Sequence, residues 1–333
     1  MRWILVGAST IAAEYMIGAF RAQPGSEVRR VVSSSAERGR EYAAKHAIPH
    51  ADTDLATSLS DPDCDAVYIS TTNEKHRDEA LAAIAAGKHV LCEKPLAMTA
   101  EDAAGMVRAA REAGVTFATN HHLRCSGSHR TIRDLIVSGR IGKVLSLRIF
   151  HAVHLPPHLQ GWRIDNAAAG GGVIPDITVH DVDTVRFLLG TEPLSVVAGM
   201  SSSGMGRGVE DSAMSVWQMP GGVMVQSHES FTHPFAGSGL EVHGTEGSIF
   251  ATGVMTQKPL GRIELVTASG REEIPFPTGD LYTTGVAEFL AAIRGEGRPA
   301  ATGEDGVKSL AIALAVREAA ASGQRQTIHY PDL

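Results

Sequence analysis

Short apolar runs alternate with helix-length segments over roughly the first 120 residues, and this rhythm restricts the possible folds more than any other feature of the chain. Arg2–Val6 is an apolar run that stops at Gly7, and Ile11 and Tyr15 follow at helical spacing. The same pattern predicts further strands at Val28–Val32, Ala66–Ile69, His89–Leu91 and Val115–Ala118. Strands that alternate with helices are joined by right-handed crossovers. The sequence therefore predicts a doubly wound α/β domain, with a parallel sheet covered by helices on both faces.

Beyond Asn120 the pattern changes to alternating segments separated by turn signals. Pro220-Gly221-Gly222 is one such signal, and the predicted strands are Val144–Val153, Ser212–Gln218, Val223–Ser230, Leu240–His243 and Ile263–Thr267. Hairpins of this kind indicate a largely antiparallel open sheet. A predicted helix over Ser128–Val137 precedes these strands, and the predicted helices that cover one face are Asp176–Leu188, Tyr282–Ile293 and Glu304–Ala320. A chain of 333 residues is long enough for two domains. We expect one over residues 1–120 and a second, α+β domain over residues 121–333.

The composition excludes several classes of protein. A formal net charge of −7, without a dense run of Lys or Arg, argues against nucleic acid as a partner. No apolar stretch reaches the roughly 18 residues of a membrane helix. Cys64, Cys92 and Cys125 lie far apart, with no spacing typical of a disulfide framework or a thiolate zinc site. We expect a cytoplasmic protein that does not bind membranes, and the sequence leaves its oligomeric state open.

The turn after the first strand has the features of a phosphate-binding loop. In a doubly wound fold, the first helix points its free backbone N–H groups at the pyrophosphate of a bound dinucleotide. Only Gly7 remains of the usual three glycines of this loop. Ser9 and Ala12 replace the other two; both are small, so the backbone can still approach a phosphate closely, and the Ser9 and Thr10 hydroxyls could add hydrogen bonds or cap the helix. Taken alone, the loop is equally compatible with an ordinary strand-to-helix turn.

The end of the second strand bears on which dinucleotide is bound. Enzymes that use NAD usually carry an acidic residue there, which binds the ribose 2′-hydroxyl. This chain has Ser33 and Ser34 instead, and Arg38 follows one turn into the next helix. Hydroxyl groups and a guanidinium suit a 2′-phosphate, although the neighbouring Glu37 weakens the positive field. The pattern favours NADP(H) over NAD(H).

Two further motifs carry groups suited to the reduction of a carbonyl. Lys94 follows the strand His89–Leu91 and should emerge at the carboxyl end of the parallel sheet, where its ammonium could polarise a substrate oxygen. Asp176 and His180 are four residues apart on a predicted helix, so the carboxylate can orient the imidazole. A histidine titrates near neutrality and can deliver a proton to a developing alkoxide. Gly170–Gly172, just upstream, would leave room for a ligand.

The chain contains 15 histidines, which raises the question of a metal site. His151, His154 and His158 are the closest set, with His121 and His122 earlier in the chain. His151 and His154 would point to opposite faces of a strand, and no compact carboxylate cluster accompanies them. We expect no catalytic metal.

Four ordered motifs together resemble the glucose-fructose oxidoreductase/inositol dehydrogenase/MocA family. They are Gly7–Ala12, Ser70–His76, Cys92–Pro95 and Asp176–His180, and the resemblance extends over essentially the whole chain. It implies a Rossmann domain followed by an α+β substrate domain. It also implies an oxidoreductase that reduces a ketosugar with NADPH, with a small sugar molecule as its partner.

The resemblance also assigns residues by position. It implies Lys94, Asp176 and His180 at the reacting carbonyl, with His180 as proton donor. It also implies a set of cofactor contacts: Ser9, Thr10, Ile11, Ala12, Ser33, Ser34, Arg38, Thr71, Thr72, Asn73, His76, Glu93, Lys94, Asn120, Trp162, Arg163 and Tyr282. Thr72 stands where many members of the family have proline, which loosens the assignment on the adenine side.

Three other activities stay open at this point. One is an NAD(P)-dependent dehydrogenase of inositol, another polyol or another sugar. A second is an NAD-dependent glycosidase, which would consume no net cofactor. A third is a non-catalytic NADPH sensor, although mere binding requires neither Lys94 nor the Asp176/His180 pair.

Overall fold

The computed structural model describes residues 1–202 and 204–333 of the chain. These residues divide into two compact units, each described here by itself. The first unit comprises Met1–His122, Tyr282–Val307 and Pro331–Leu333, and the second comprises Leu123–Leu281 and Lys308–Tyr330. The sequence predicts two contiguous domains, 1–120 and 121–333. In the structure, two later segments, Tyr282–Val307 and Pro331–Leu333, belong to the first unit.

The first unit contains a six-stranded sheet in which every strand pair is parallel. Its strands are β1 (Arg2–Val6), β2 (Glu27–Val32), β3 (His50–Asp52), β4 (Ala66–Ile69), β5 (His89–Cys92) and β6 (Phe117–Thr119). They lie in the order β3-β2-β1-β4-β5-β6, so the direction of winding reverses between β1 and β4. A reversal of this kind opens a crevice at the carboxyl ends of the strands. The doubly wound fold predicted from the sequence is confirmed.

Helices connect these strands: α1 (Ile17–Arg21), α2 (Ala36–Lys45), α3 (Leu55–Leu59), α4 (His76–Ala85) and α5 (Ala100–Ala113). α5 begins where the Thr99 hydroxyl accepts a hydrogen bond from the Asp102 amide, and it ends at Gly114 in the left-handed conformation. The sheet core includes Trp3, whose ring stacks on Phe20 at 4.1 Å between centroids. Phe289 also packs on Trp3, at 5.7 Å, so the helix over Leu281–Ile293 contributes to this core.

The second unit is built on a nine-stranded, mostly antiparallel sheet, which confirms the predicted α+β class. Its strands are β7 (Val144–Ala152), β8 (Ser195–Ser201), β9 (Ser212–Gln218), β10 (Met224–Ser230), β11 (Ser238–Gly244), β12 (Gly247–Thr252), β13 (Arg262–Thr267), β14 (Gly270–Glu273) and β15 (Gln326–Thr327). They lie in the order β14-β13-β12-β11-β7-β10-β9-β8-β15. β7 and β10 run parallel at the centre, while every other neighbouring pair is antiparallel.

Helices α6 (Gly127–Val137) and α7 (Val179–Leu189) belong to the second unit, and α8 (Leu281–Ile293) and α9 (Gly303–Ser322) follow. A buried ion pair fixes α7: Arg124 donates from Nε and Nη2 to the two carboxylate oxygens of Asp183, both at 2.7 Å. A bidentate pair of this type constrains orientation as well as distance. α7 is therefore held firmly at the turn that carries the predicted His180. None of the helices in the described ranges is long and apolar enough to cross a membrane.

Candidate active site

The turn after β1 brings the predicted phosphate loop against the loop that follows β4. Gly7 has a φ of +104°, and a β-carbon at this position would lie 3.0 Å from the Ser70 carbonyl carbon and oxygen. The Ser9 and Ser70 hydroxyls are hydrogen-bonded at 2.7 Å, and the Ser9 hydroxyl also accepts from the Ala12 amide. Only glycine combines this conformation with so close an approach. The result is a small-residue cradle at the winding reversal of the sheet, a shape that fits a dinucleotide phosphate.

A π-helical turn over Ala12–Met16 begins the first helix, ahead of α1. Thr10 is exposed and Ile11 is half-buried at its entrance, while Ala12 is fully buried. π-helical turns are rare and occur frequently at functional sites. The sequence predicts an ordinary helix here, because 3.6-residue periodicity cannot reveal a single wider turn.

The end of β2 places the predicted specificity residues beside the same cradle. Ser33 is buried, and its hydroxyl accepts from the Ser35 amide at 3.4 Å. Ser35 caps α2 by accepting from the Arg38 amide, and the Arg38 guanidinium donates to the Ala8 carbonyl at 2.6 Å. Arg38 thus contacts the turn that follows Gly7, and Ser33 and Ser34 directly follow β2, the strand that pairs with β1.

The loop after β4 holds the next group of predicted cofactor residues. Thr71 donates its hydroxyl to Glu79 at 2.6 Å, and burial raises the pKa of Glu79 to about 7. Thr72 donates to Glu74 at 2.8 Å, and Asn73 is buried between them in the chain. The hydrogen bonds of Thr71 to Glu79 on α4 and of Thr72 to Glu74 therefore fix the conformation of this loop.

His76 links this loop to the lysine motif. Its Nδ1 atom lies 2.8 Å from the Pro95 carbonyl oxygen and its Nε2 atom 3.2 Å from that of Thr71. Burial lowers the pKa of His76, and its two backbone hydrogen-bond partners oppose that shift. Pro95 follows Lys94 through a cis peptide bond. His76 thereby supports the turn on which the half-buried Lys94 lies.

Half-buried Glu93 and buried Asn120 form a polar cluster at the ends of β5 and β6. The Glu93 Oε1 atom accepts from the Tyr68 hydroxyl and from the Asn120 side-chain amide, each at 2.6 Å. Burial raises the pKa of Glu93, and these two hydrogen bonds oppose the shift. Tyr282 is buried in the same unit, with its ring stacked on Tyr15 at 4.7 Å. Tyr68 and Tyr15 are partners that sequence reasoning did not identify, because each is distant in sequence from the residue it contacts.

In the second unit, Asp176 and His180 lie on consecutive turns of different type. Ile174–Thr178 is a π-helical turn that ends at α7, so the predicted helix is α-helical only from Val179 onwards. Asp176 and His180 are both half-buried. The Asp176 Oδ1 atom accepts from Arg163 Nε at 3.3 Å, and the Arg163 guanidinium stacks over the Trp162 ring at 4.8 Å. The structure therefore joins Arg163 to the Asp176/His180 turn.

The glycines upstream serve a different purpose from the one suggested by the sequence. Gly172 has a φ of +117°, and a β-carbon there would lie 2.3 Å from Glu210 Oε1. The same Oε1 atom accepts from the Ile174 amide at 3.1 Å, which caps the π-helical turn. Gly171 is equally close to the chain itself, 2.5 Å from the Trp162 carbonyl oxygen. Gly171 and Gly172 accommodate the protein's own backbone and capping carboxylate rather than a ligand.

Replacing Gly172 with alanine should lower the free energy of unfolding by about 2–4 kcal/mol, because it adds backbone strain and displaces the Glu210 cap. Gly139→Ala is the matched control: its φ is +75°, and no atom lies within 4 Å of the added β-carbon. Gly139→Ala should cost only about 1 kcal/mol. Urea unfolding of both variants measures the difference, and equal losses would show that the Glu210 contact has no effect.

Within residues 1–202 and 204–333, no group of three or more His, Cys, Asp or Glu side chains is arranged to hold a metal ion. His151 on β7 is one of the histidines considered above as possible metal ligands. Its Nδ1 atom lies 3.0 Å from the Asp181 Oδ1 atom. His154 forms an isolated bridge to Thr232.

Comparison with known proteins matches both parts of the chain to one group of enzymes. Residues 1–121 match the family described as "Oxidoreductase family, NAD-binding Rossmann fold", and residues 129–250 match the "GFO/IDH/MocA C-terminal domain". The chain is 57% identical to 1,5-anhydro-D-fructose reductase of Ensifer adhaerens, over 98% of each chain.

Two solved structures share the fold over nearly their full length. The aldose-aldose oxidoreductase of Caulobacter crescentus, complexed with glycerol, superposes with a TM-score of 0.90 at 24% identity, over 98% of this chain and 99% of that one. Levoglucosan dehydrogenase in complex with NADH and levoglucosan superposes with a TM-score of 0.88 at 23% identity, with the same coverage.

Proposed function

The chain belongs to the Gfo/Idh/MocA family of oxidoreductases, and from that premise we propose that it is an NADPH-dependent ketosugar reductase. The proposed reaction converts 1,5-anhydro-D-fructose to 1,5-anhydro-D-mannitol. The observation that carries this proposal is the 57% identity to 1,5-anhydro-D-fructose reductase over 98% of both chains. The family is described as NAD-binding, so the choice of NADP(H) rests on residues of this chain.

The cofactor proposal is supported by the cradle around Gly7. Its small residues, Ser9 and Ala12, and the helix N-terminus beyond them suit the pyrophosphate. Ser33, Ser34 and Arg38 offer donors and a positive charge to a 2′-phosphate, and no acidic residue stands at the end of β2 to repel it. When bound, NADPH supplies the hydride that reduces the carbonyl carbon. The remaining proposed contacts are Thr10, Ile11, Thr71, Thr72, Asn73, His76, Glu93, Lys94, Asn120, Trp162, Arg163 and Tyr282.

The chain's own side chains supply the rest of the proposed chemistry. His180 donates a proton to the carbonyl oxygen as negative charge develops there, and Lys94 stabilises that charge with its ammonium group. Asp176 orients His180, and Arg163 holds Asp176 in turn through its 3.3 Å ion pair. The three cysteines are buried and far apart in the sequence, which suits a reducing compartment, and we propose that the enzyme works in the cytoplasm.

An assay of substrate and direction tests the proposal. Purified protein is incubated with NADPH or NADH and with a panel containing 1,5-anhydro-D-fructose, other ketosugars and aldoses, and the absorbance of the reduced cofactor is followed. We expect fastest oxidation of NADPH with 1,5-anhydro-D-fructose, and 1,5-anhydro-D-mannitol as product.

The same assay separates the other activities. A polyol or sugar dehydrogenase would instead reduce NADP+ or NAD+ in the presence of inositol or levoglucosan, and would leave the ketosugar untouched. A glycosidase would release sugar without net change in the cofactor. A sensor would bind NADPH, measured by calorimetry, and turn over nothing in the panel.

A further inference from the structure

Two carboxyl groups are fully buried directly beneath the turn that carries Asp176 and His180. Asp181 lies in the first turn of α7, and Glu229 lies on β10; both residues are 0% exposed. In the described part of the chain, neither is paired with a lysine or an arginine. Buried carboxylates normally have such partners, because an unpaired charge is expensive to remove from water. The Asp181/Glu229 pair therefore needs an explanation.

The register of the sheet brings the other members of the cluster together. Glu229 stands opposite His151 on β7 and opposite Ala213 on β9. His151 Nδ1 contacts Asp181 Oδ1 at 3.0 Å, so the histidine on the sheet reaches the acid on the helix. Glu229 lies close to the side chains of Asp181, of Ser227 on its own strand, and of Thr178 at the end of the π-helical turn. The cluster thus connects β7 and β10 to the turn that carries His180.

The hydrogen-bond inventory points to a proton between the two acids. Asp181 Oδ2 and both oxygens of Glu229 are buried and accept no hydrogen bond from a donor in the described residues. Two ionised carboxylates are acceptors only, so they cannot bond to each other. If one carboxyl group keeps its proton, its O–H donates a hydrogen bond to an oxygen of the other, and the two buried groups become partners. Two carboxyls that share a site generally behave in this way, because both cannot ionise together.

The groups around the pair favour the same state. Burial raises the pKa of Glu229 well above its usual range, and the nearby Asp181 raises it further. Burial also raises the pKa of Asp181, although His151 opposes that shift. Beyond His151, α6 contributes His129, whose pKa burial lowers to about 4, so it adds no positive charge at neutral pH. Ser227, on the same strand as Glu229, and Ala213 on β9 carry no charge.

We propose that Asp181 and Glu229 share one proton, and that this proton-linked pair holds the turn bearing Asp176 and His180 against β10. Both acids are then positioning residues, since they act through the turn and contact neither substrate nor cofactor. The role in catalysis rests on the proposed reductase function, whereas the shared proton does not. Loss of the proton would place two negative charges side by side and push the turn away from the sheet.

Glu229→Gln tests the shared proton. The amide of glutamine donates to Asp181 permanently and does not titrate. Because the pKa of Glu229 is raised in the folded protein, the native state holds a proton that the unfolded state has released above pH about 4.5, its ordinary value. Above pH about 4.5, the folding equilibrium constant of the wild type should therefore fall relative to that of Glu229→Gln. The fall should be up to about tenfold per pH unit, and it should stop at the pH where the pair in the folded protein loses its shared proton.

Urea unfolding between pH 5 and 9 measures this difference. Glu241→Gln is the matched control, because it makes the same change at an only partly buried carboxylate on the adjacent part of the sheet, and it should follow the wild type. If Glu229→Gln loses stability with pH in parallel with the wild type, no proton is shared. Asp181→Asn gives the same test with the donor on the other side, should Glu229→Gln fail to fold.

The positioning role has its own readout. With NADPH and ketosugar, the ratio of kcat for Glu229→Gln to kcat for wild type should rise with pH, while KM for NADPH stays the same. A ratio that is constant with pH, or a change confined to KM, would contradict the positioning role. If wild type turns over no sugar, the proposed function fails, and the unfolding series still decides whether the proton is shared.

Discussion

Replacing His180 with alanine should lower kcat by about 10²- to 10⁴-fold, the usual contribution of a positioned proton donor. Without the imidazole, the oxygen that receives negative charge must take its proton from water. His180 is not among the proposed cofactor contacts, so the dissociation constant for NADPH should not change. Initial rates with 1,5-anhydro-D-fructose and calorimetry with NADPH measure the two quantities.

His243→Ala is a suitable control, since His243 lies on β11 with its Nδ1 atom bonded to Ser248 and has no proposed role. It should retain wild-type turnover. Equal losses of turnover and of NADPH affinity in His180→Ala would contradict the assignment of His180 as proton donor.

Replacing Ser33 with aspartate should reverse part of the cofactor preference. The buried hydroxyl at the end of β2 would become a carboxylate that repels a 2′-phosphate and accepts from a 2′-hydroxyl. We expect the NADPH/NADH ratio of kcat/KM to fall by about 10- to 100-fold, which corresponds to about 1.4–2.7 kcal/mol. Steady-state kinetics with both cofactors at fixed sugar concentration give this ratio.

Ser33→Asn separates charge from size, because asparagine has nearly the shape of aspartate and is neutral. It should change the ratio far less than Ser33→Asp. If both variants shift the ratio equally, the effect is steric; if neither shifts it, the 2′-phosphate is not bound at Ser33.

Elements with a local sequence signal are the ones that the sequence predicts best. Ala66–Ile69, Ala100–Ala113 and Ser212–Gln218 have the same bounds in the sequence prediction and in the structure. A buried parallel strand is a continuous apolar run, and a half-buried antiparallel strand alternates, so each pattern is complete within a few residues. Both fold classes follow from these patterns.

Features that depend on distant residues were not predicted. β8 was missed because only Ser195 and Val196 of its seven residues are buried, and its place in the sheet is decided by β9 and β15. Packing of Phe289 on Trp3 joins segments at opposite ends of the chain, which no local pattern reveals.

The candidate site shows the same division. Gly7, Lys94, Asp176 and His180 could be singled out because each lies in a recognisable motif. The two π-helical turns, the Glu210 cap and the Asp181/Glu229 pair could not, because each depends on a turn geometry or a long-range contact. The buried acids in particular contradict the expectation that charged residues lie at the surface, and the location of Glu229 depends on the register of β7 and β10, which places it opposite His151.

The parallel pairing of β7 with β10 also bears on how quickly the second unit forms. Ser146 faces Met224 across that pair, about 80 residues along the chain, so the middle of the sheet closes only after a long loop is brought together. Chains rich in such distant pairings fold slowly, over milliseconds to seconds. Glu229 lies on β10 and His151, which contacts Asp181, lies on β7, so until these strands pair both acids are ordinary carboxyl groups in water. The unusual chemistry of the pair thus exists only once the slowest contacts have been made.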